Sequence, residues 1–345
     1  MKAAKRTLVA VSIVTMFVGQ GVPALAETGP VGETDGTALS VGEFANPYYA
    51  VAHPSSTISF PRGIAINPAN GQLLAVSSIS SNIHVHDPAG EIDVFTVLGA
   101  PRGIDIVGSN LFVAETTGDR ISVWTLAGEF IRSWGTSGSG NGQFNDPCGV
   151  AISDVNEVFV LDTENDRIQV FDINGNYLRQ WGSNGSGSGQ FDFFCSGAGL
   201  AVDGGEVFVA DSANDRIQVF DINGTYLRQW GSAGSAFGEF SNPHGVAVRG
   251  DGLVAVPDFG NDRVQLFTRG GLFQESVSVA DPVGVVADES GGTFWVSTQA
   301  TPDGLVVLTD VRCGGEVLTH VGTSYRDSFA TDGSDDVVAL GEGSD

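Results

Sequence analysis

Short apolar runs separated by turn-forming residues follow one another along most of the chain. In one stretch the runs are GVAI (149–152), EVFVLD (157–162), RIQVFD (167–172) and NYLRQWG (176–182). Short runs rich in β-branched and aromatic residues are typical of strands. Asn174-Gly175 joins the last two runs, and this dipeptide is common in tight hairpins whose two turn residues both adopt positive φ. The pattern predicts a four-stranded antiparallel meander and no long helix.

The same pattern recurs along the chain. Residues 166–183 and 215–232 are identical except for Asn176 and Thr225. A Pro-x-Gly motif followed by small and β-branched residues marks six units, although the fourth copy lacks the proline. Its glycines lie at 63, 103, 149, 199, 245 and 284, which gives spacings of 39 to 50 residues. Repeats of about this period form propellers or solenoids, in which each unit packs its apolar face on the next.

The repeated residues resemble a known family. The pattern PxGVAV, VFVxDxxNDRIQVF and YLRxWG is similar to the NHL repeat, and the resemblance covers about residues 60–322. It implies an all-β fold, a six-bladed β-propeller of four-stranded antiparallel blades. A closed ring also leaves few exposed sheet edges. The segment GEFANPYYAVA (42–52) echoes the start of a unit, GEFSNPHGVAV (238–248), and is a candidate for the strand that closes the ring onto the sixth blade.

The two ends of the chain differ from the repeats. Residues 1–26 combine Lys2, Lys5 and Arg6 with an apolar run and a small-residue site, as in a secretory signal peptide. The apolar run, Leu8 to Val18, is shorter than the ~20 residues that a membrane span needs. We therefore expect a secreted protein, extracellular or periplasmic, without a membrane span after signal removal. Residues 27–59 form an N-terminal segment, and the acidic tail 323–345 has the composition of a disordered segment.

The charge balance limits the partners. The formal net charge is −25, and removal of the three basic residues in the signal peptide would make it −28. A field of this sign repels nucleic acid and anionic lipid, so we expect no nucleic-acid partner. Such an acidic excess is compatible with a salty environment, where screening reduces self-repulsion. We expect a monomer.

The chain has three cysteines, Cys148, Cys195 and Cys313. Because the number is odd, at least one has no partner within a monomer. A disulfide between Cys148 and Cys195 and a pair of free buried thiols are equally compatible with their positions before equivalent strands. No two cysteines have the close spacing of structural zinc sites.

An acid and an arginine five residues apart recur in four units. The pairs are Glu115 and Arg120, Asp162 and Arg167, Asp211 and Arg216, and Asp258 and Arg263. The first unit has Ser77 and Asn82 instead, and in the sixth unit Ser297 stands in the place of the acid. Because acid and arginine are lost together, we predict that they form ion pairs with a structural role, since a buried charge left alone is costly.

Two other groups of residues have competing interpretations. The fourth run of three units carries Arg132, Arg179 and Arg228 with Trp134, Trp181 and Trp230. These residues form either a half-solvated strand face or a protein-binding hot spot. His84 and His86 share one strand face, as metal ligands can, but they replace Gln169 and Phe171, and packing is the favoured interpretation.

Candidate binding residues lie where the units differ. The x position of Pro-x-Gly is expected at the rim of a central channel, and Asp105 replaces an alanine found in four other units. Two arginines, an aspartate and a histidine around a small mouth suit an anionic or carboxylate-bearing ligand. Alternatively these are solvated rim residues, with Asp105 neutralising Arg102. The candidate ligand-binding residues are Arg62, Arg102, Asp105, Cys148 and His244.

Two functions fit this pattern. The first is an exported binding scaffold for a protein, peptide or glycan, without a cofactor. The alternative is a metal-dependent lyase or lactone hydrolase that uses Ca²⁺ or another divalent cation held by Asp105 and neighbouring carboxylates. In the peptide-amidating lyases, which the repeats resemble, histidines of several Pro-His motifs bind zinc. Here only Pro243-His244 matches, so we favour the scaffold and assign no catalytic residue.

Overall fold

The computed structural model describes residues 48–52, 58–87, 90–194, 199–288, 292–300, 304–310, 312–313 and 316–317. The predicted signal peptide 1–26 and the acidic tail 323–345 lie outside these residues. So does most of the N-terminal segment 27–59, apart from 48–52 and the residues from 58 onward.

Six four-stranded antiparallel sheets form the blades of a β-propeller. The strands are given from the innermost outward. The first blade comprises Pro61–Ile66, Leu73–Ser77, Asn82–Asp87 and Gly90–Thr96, and the second comprises Pro101–Val107, Asn110–Glu115, Arg120–Thr125 and Phe130–Trp134. The third comprises Pro147–Ile152, Glu157–Asp162, Arg167–Asp172 and Tyr177–Trp181. The fourth and fifth comprise Leu200–Asp203, Glu206–Asp211, Arg216–Asp221 and Tyr226–Trp230; and Ala247–Val248, Leu253–Asp258, Arg263–Thr268 and Phe273–Ser278. The predicted all-β, six-bladed architecture is confirmed.

The sixth blade joins the two ends of the ring. Its three inner strands are Pro282–Asp288, Thr293–Thr298 and Gly304–Asp310. Its outer strand is Tyr48–Ala52, which pairs antiparallel with Gly304–Asp310. The ring therefore closes with backbone hydrogen bonds between strands that are far apart in sequence. A separate two-stranded pair, Arg312–Cys313 with Glu316–Val317, follows the sixth blade.

The hydrophobic core lies between neighbouring blades. In the second strand of the third blade, Phe159 and Leu161 pack in a cluster shared with the fourth blade. Val158 and Val160, which alternate with them, pack in a cluster shared with the second blade. Both faces of this strand are therefore buried, which explains why it is apolar throughout instead of alternating.

The hairpins differ from the sequence prediction in one detail. Gly175 has a φ of 91°, but Asn174 is not among the residues with positive φ. The Asp172 carbonyl accepts from the Gly175 N–H, and the Asp172 N–H donates to the Asn176 carbonyl. The expectation of two positive φ angles was wrong, because the chain forms a three-residue loop that ends in a left-handed glycine.

Helical structure is limited to single turns in the described part of the chain. Four 3₁₀ turns follow the second strands of the second to fifth blades, at Thr116–Gly118, Thr163–Asn165, Ser212–Asn214 and Phe259–Asn261. None of the described helices is long and apolar enough to cross a membrane.

Candidate functional site

The glycines of the Pro-x-Gly motifs in the first, second, fifth and sixth blades lie close to the neighbouring inner strand. A Cβ on Gly103 would lie 2.6 Å from the Cys148 carbonyl oxygen, and one on Gly245 would lie 3.0 Å from the Val283 carbonyl oxygen. The same crowding occurs between Gly284 and the Arg62 carbonyl, where the sixth blade meets the first. These positions require glycine because the backbone of the next blade occupies the space of a side chain.

The Pro-x-Gly motif also fixes the shape of the rim. The pairing register shifts between Pro61 and Ile64, and again between Pro101 and Ile104, so the motif forms a bulge at the start of the inner strand. Bulges of this kind redirect side chains near functional sites. The residue before the proline has positive φ in five blades: Phe60, Ala100, Asp146, Asn242 and Asp281. The bulge thus places the x residues at the same end of the channel.

Arg62, Arg102 and His244 form a positively charged mouth at this end. Burial, together with the neighbouring Arg102, lowers the pKa of Arg62 to about 10. Burial also lowers the pKa of Arg102, an effect that the Asp146 carboxylate opposes. Burial and then the charges of Arg62 and Arg102 lower the pKa of His244 to about 3. At neutral pH the mouth therefore carries two guanidinium charges beside a neutral imidazole.

His244 is buried without hydrogen-bond partners for its ring. Its exposed fraction is 5%, and neither ring nitrogen has a partner. The ring stacks on Phe259 with 4.2 Å between centroids and 13° between planes. The backbone is fixed as well, since the His244 N–H donates to the Pro257 carbonyl at 3.0 Å. A buried polar group without a partner is costly, and the predicted part of His244 in ligand binding stays a prediction.

The two arginines differ in how they are held. The Gln299 amide, oriented with its oxygen toward Arg62, accepts from Arg62 Nη1 at 3.2 Å and from Arg62 Nε at 3.1 Å. Arg102 Nε is buried and has no partner. Arg62 is thus held in place by Gln299, whereas Arg102 Nε makes no hydrogen bond.

Asp105 has a structural role that the sequence did not indicate. Its two carboxylate oxygens accept from the backbone N–H groups of Ile106 and Ile152, each at 2.7 Å. The carboxylate therefore ties the inner strands of the second and third blades together and does not neutralise Arg102. Burial raises the pKa of Asp105 to about 6, and the two backbone donors oppose this effect. Its predicted part in ligand binding stays a prediction.

Cys148 occupies the rim position of the third blade, but its side chain is fully buried. Its sulfur is part of a disulfide, and the side chains of Cys195 and Cys313 lie outside the described residues. The nearby Thr116 hydroxyl donates to the Pro147 carbonyl at 3.1 Å. Cys148 thus contributes a fixed wall of the rim, and its predicted contact with a ligand is untested.

The repeated acid and arginine pairs lie away from the mouth and hold loops. Asp162 accepts from Arg167 Nε at 2.6 Å, and Arg167 donates to the carbonyls of Ser139, Gly140 and Gln143. These carbonyls belong to the glycine-rich loop that precedes the third blade. The predicted contact between acid and arginine is confirmed in all four units. In the sixth blade Thr298, and not Ser297, takes the place of the acid, since Thr298 pairs with Pro282.

The arginines and tryptophans of the outer strands connect neighbouring blades. Arg179 binds both carboxylate oxygens of Glu157 and also donates to the Ile222 carbonyl in the next blade. Trp134 leaves no room for a side chain at Gly175, where a Cβ would lie 2.6 Å from the indole. These contacts favour the structural interpretation over a protein-binding hot spot.

The histidine pair on the first blade is part of the packed interior. His84 and His86 are 6% and 1% exposed, and their rings lie 6.3 Å apart. This burial agrees with the packing interpretation. Among the described residues, no group of three His, Cys, Asp or Glu side chains is placed to hold a metal ion.

Sequence reasoning missed two residues of the mouth, Phe259 and Gln299. Both directly follow the second strand of their blade, where Thr116, Thr163 and Ser212 stand in other blades. Their departure from a small hydroxyl residue was visible in the repeat. A residue that departs from the repeat is a candidate site residue in this loop as much as at the rim, so both residues could have been found from the sequence.

Comparison with known proteins supports the architecture. The family model of the NHL repeat matches residues 194–220. No curated protein sequence matches the chain. A virginiamycin B lyase structure from Staphylococcus aureus is similar in fold, with a TM-score of 0.54 and 15% identity, covering 76% of this chain and 98% of that one. A gluconolactonase from Xanthomonas campestris gives a TM-score of 0.58 and 13% identity, with 73% and 86% covered.

A protein of unknown function from Bacteroides thetaiotaomicron is also similar, with a TM-score of 0.60, 13% identity and 76% of each chain covered. At such identities the likeness concerns the fold alone. The chemistry of the mouth must therefore be read from this chain's own residues.

Proposed function

Because this chain is a six-bladed β-propeller that carries the NHL repeat, we propose that it is a binding scaffold whose channel mouth takes a carboxylate. The carboxylate belongs to a peptide, a protein or a glycan. The observation that carries the proposal is the pair of partly buried guanidinium groups of Arg62 and Arg102, of which Arg102 Nε has no partner. A carboxylate would offset their repulsion and accept a hydrogen bond from Arg102.

The surroundings of the mouth support a ligand with a single negative group. The chain carries a formal net charge of −25, so a polyanion is repelled before it reaches the mouth. Within the mouth the charge has the opposite sign over a short range. The arginines of the mouth attract a small ligand with one carboxylate, and the net negative charge of the chain repels such a ligand much less than it repels a polyanion.

The test is the binding of propionate and of its neutral analogue propionamide, followed by calorimetry or by ligand-detected NMR. We expect propionate to bind and propionamide to bind much more weakly. Arg102→Met keeps the apolar stem but removes the charge, and should weaken propionate binding about tenfold or more, the value of one charged hydrogen bond.

Arg249→Met is the matched control, because Arg249 pairs with Asp251 in the turn that follows the fifth inner strand. It removes one positive charge outside the mouth and should leave propionate binding unchanged. Equal binding of propionate and propionamide, or equal effects of the two arginine variants, would refute the proposal.

The competing hypothesis is a metal-dependent lyase or lactone hydrolase with its site in the channel, since a virginiamycin B lyase and a gluconolactonase share the fold. It predicts one stoichiometric divalent ion, such as Ca²⁺, in the purified protein. It also predicts a lyase or lactonase activity that is lost on chelation and restored by the ion. Metal analysis of the purified protein separates the two hypotheses.

Export completes the proposal. Residues 1–26 have the composition of a secretory signal. We propose that the mature protein acts outside the cytoplasm as a monomer. N-terminal sequencing of the mature protein checks the first point: an N-terminus at Glu27 is expected, and a retained residue 1 would contradict it.

A further inference from the structure

We propose that Asn223, at the hairpin tip of the fourth blade, is an N-glycosylation site that holds its glycan on the end of the propeller opposite the mouth. The inference rests on the export part of the proposed function, because N-linked glycans belong to surface loops of secreted chains. It adds a covalent modification that does not depend on carboxylate binding.

The acceptor motif arises from the one difference within the duplicated unit. Asn223-Gly224-Thr225 has the pattern Asn-x-Ser/Thr of N-glycosylation acceptors. The third blade has Asn174-Gly175-Asn176 at the equivalent place, and Asn176 lacks the hydroxyl that the pattern requires. The two hairpins therefore present an asparagine in the same surroundings, and the hydroxyl two residues later occurs in only one of them.

The hairpin directs the Asn223 side chain to solvent. Gly224 has a φ of 88°, and a Cβ there would lie 2.6 Å from the Trp181 indole, so the backbone lies tightly against the third blade. Asn223 and Thr225 are both exposed. The Asn223 N–H donates to the Asp221 carboxylate at 2.9 Å, whereas no residue that the structure describes forms a hydrogen bond with its side-chain amide. The amide that would take a sugar is thus accessible.

Strand pairing places this hairpin at the end of the blade away from the mouth. Glu206 pairs with Asp203, which ends the inner strand, and with Asp221, which ends the third strand. Asn223 follows directly in the hairpin. The Pro-x-Gly motifs lie at the other end, where the inner strands begin. A glycan on Asn223 therefore leaves the channel mouth open.

A second motif of the same pattern, Asn184-Gly185-Ser186, belongs to the glycine-rich loop before the fourth blade. Asn184 Nδ2 donates to the Asp166 carboxylate at 2.9 Å. The Ser186 carbonyl accepts from Arg216 Nη1 at 2.7 Å. The amide nitrogen that would take the sugar is already in contact with the protein, unlike that of Asn223. We expect the glycan on Asn223 and not on Asn184.

The modification is a group transfer without oxidation or reduction. Asn223 Nδ2 forms a bond to the anomeric carbon of a sugar and loses one of its protons to a base. The bond from that carbon to a phosphate oxygen of a lipid-phosphate-linked glycan breaks, and the lipid phosphate leaves with the electron pair. The cell supplies the glycan donor and a transferase, whereas this chain supplies the amide and the Thr225 hydroxyl.

The experiment is a peptide map of the full chain, purified from the cells that produce it and then reduced. Trypsin releases residues 217–228, with Asn223, and residues 168–179, with Asn174, and these peptides differ only at Thr225 and Asn176. Mass spectrometry should find a glycan on most copies of 217–228 and none on 168–179. Residues 180–216, which contain Asn184, should be unmodified.

Reciprocal substitutions provide the matched controls. Thr225→Asn gives the fourth hairpin the sequence of the third and should remove the glycan from 217–228. Asn176→Thr does the reverse and should place a glycan on 168–179. Each new residue already occupies the equivalent position in a folded hairpin, so both variants should unfold in urea near the wild-type midpoint. Thr225→Ser, which keeps a hydroxyl, should retain the glycan.

The outcomes separate this inference from the proposed function. A mature chain that begins at Glu27 and carries an unmodified 217–228 would overturn the inference while leaving export and carboxylate binding intact. A glycan that persists in Thr225→Asn, or that occurs equally on Asn174 and Asn223 in the wild type, would also contradict it. A chain that keeps residue 1 and stays in the cytoplasm would instead overturn the proposed export, and the inference with it.

Discussion

Removal of the buried acid in the fourth blade, Asp211→Ala, should strongly destabilise the propeller. The Asp211 carboxylate accepts from Arg216 Nε at 2.7 Å, from Gln218 Nε2 at 3.0 Å and from the Asp192 N–H at 2.9 Å. Asn214 Nδ2 donates to both of its oxygens. The variant leaves these donors unpaired and isolates the Arg216 charge, whose side chain is 7% exposed.

The magnitude follows from the cost of an isolated buried charge. Burial raises the pKa of Asp211 despite the hydrogen bonds from Asp192, Arg216 and Asn214, which shows that desolvation of the carboxylate outweighs their attraction. The ion pair therefore affects the free energy of unfolding mainly when one partner is removed and the other charge stays buried. Breaking such a pair costs about 3–5 kcal/mol. For a domain of this size that is a fall in Tm on the order of 10 °C.

The assay is urea unfolding followed by tryptophan fluorescence, with a thermal melt as a second measurement. The duplicated unit supplies an internal replicate: Asp162→Ala should cost the same, because the network around Asp162 repeats that of Asp211. Glu115→Ala should cost less, since its partner Arg120 is 30% exposed and water screens the remaining charge.

A double variant separates the charge from the packing. Asp211→Ala combined with Arg216→Met removes the isolated cation and should be less destabilised than Asp211→Ala alone. A loss below about 1 kcal/mol in Asp211→Ala, typical of a solvent-exposed ion pair, would refute the structural interpretation of the repeated acids.

Two further predictions concern the channel. Gly103→Ala places a methyl group against the Cys148 carbonyl and should cost about 3 kcal/mol or more, whereas Gly270→Ala, with its nearest contact at 3.8 Å, should be nearly neutral in the same urea assay. Because the pKa of Asp105 is raised from 3.8 to about 6, its carboxyl favours folding below that range and loses this contribution as the pH rises through it. The stability of wild type relative to Asp105→Ala should therefore fall by about 2 kcal/mol from pH 4 to pH 6, and a constant difference would contradict the assignment.

Most of the fold could be predicted from the chain because each blade repeats the same local pattern. The runs at 149–152, 157–162, 167–172 and 176–182 agree with the strands of the third blade within two residues. The hairpin conformation was not predictable from Asn174-Gly175, since this dipeptide also fits a three-residue loop. The position of the acid in the sixth blade was misread, because the pairing of Thr298 with Pro282 depends on a bulge.

The site was predicted only in part. The sequence identified Arg62, Arg102, Asp105 and His244 as departures from the repeat, but the alternative in which Asp105 neutralises Arg102 was wrong. The hydrogen bond from Ile152 to Asp105 crosses between blades, and no local pattern encodes such a contact. Phe259 and Gln299 likewise reach the mouth from the loops that follow second strands.

By itself the sequence determined the strands, the number of blades and the pairing of each repeated acid with its arginine, because these depend on contacts within one repeat or between identical neighbours. Only the tertiary structure decided which unrepeated side chains meet. Ring closure through Tyr48–Ala52 sets the first blade beside the sixth, and so brings Gln299 to Arg62. The shifted pKa values at the mouth arise because Arg62, Arg102 and His244, which belong to different blades, lie near one another. The spacing of these residues along the chain does not predict that proximity.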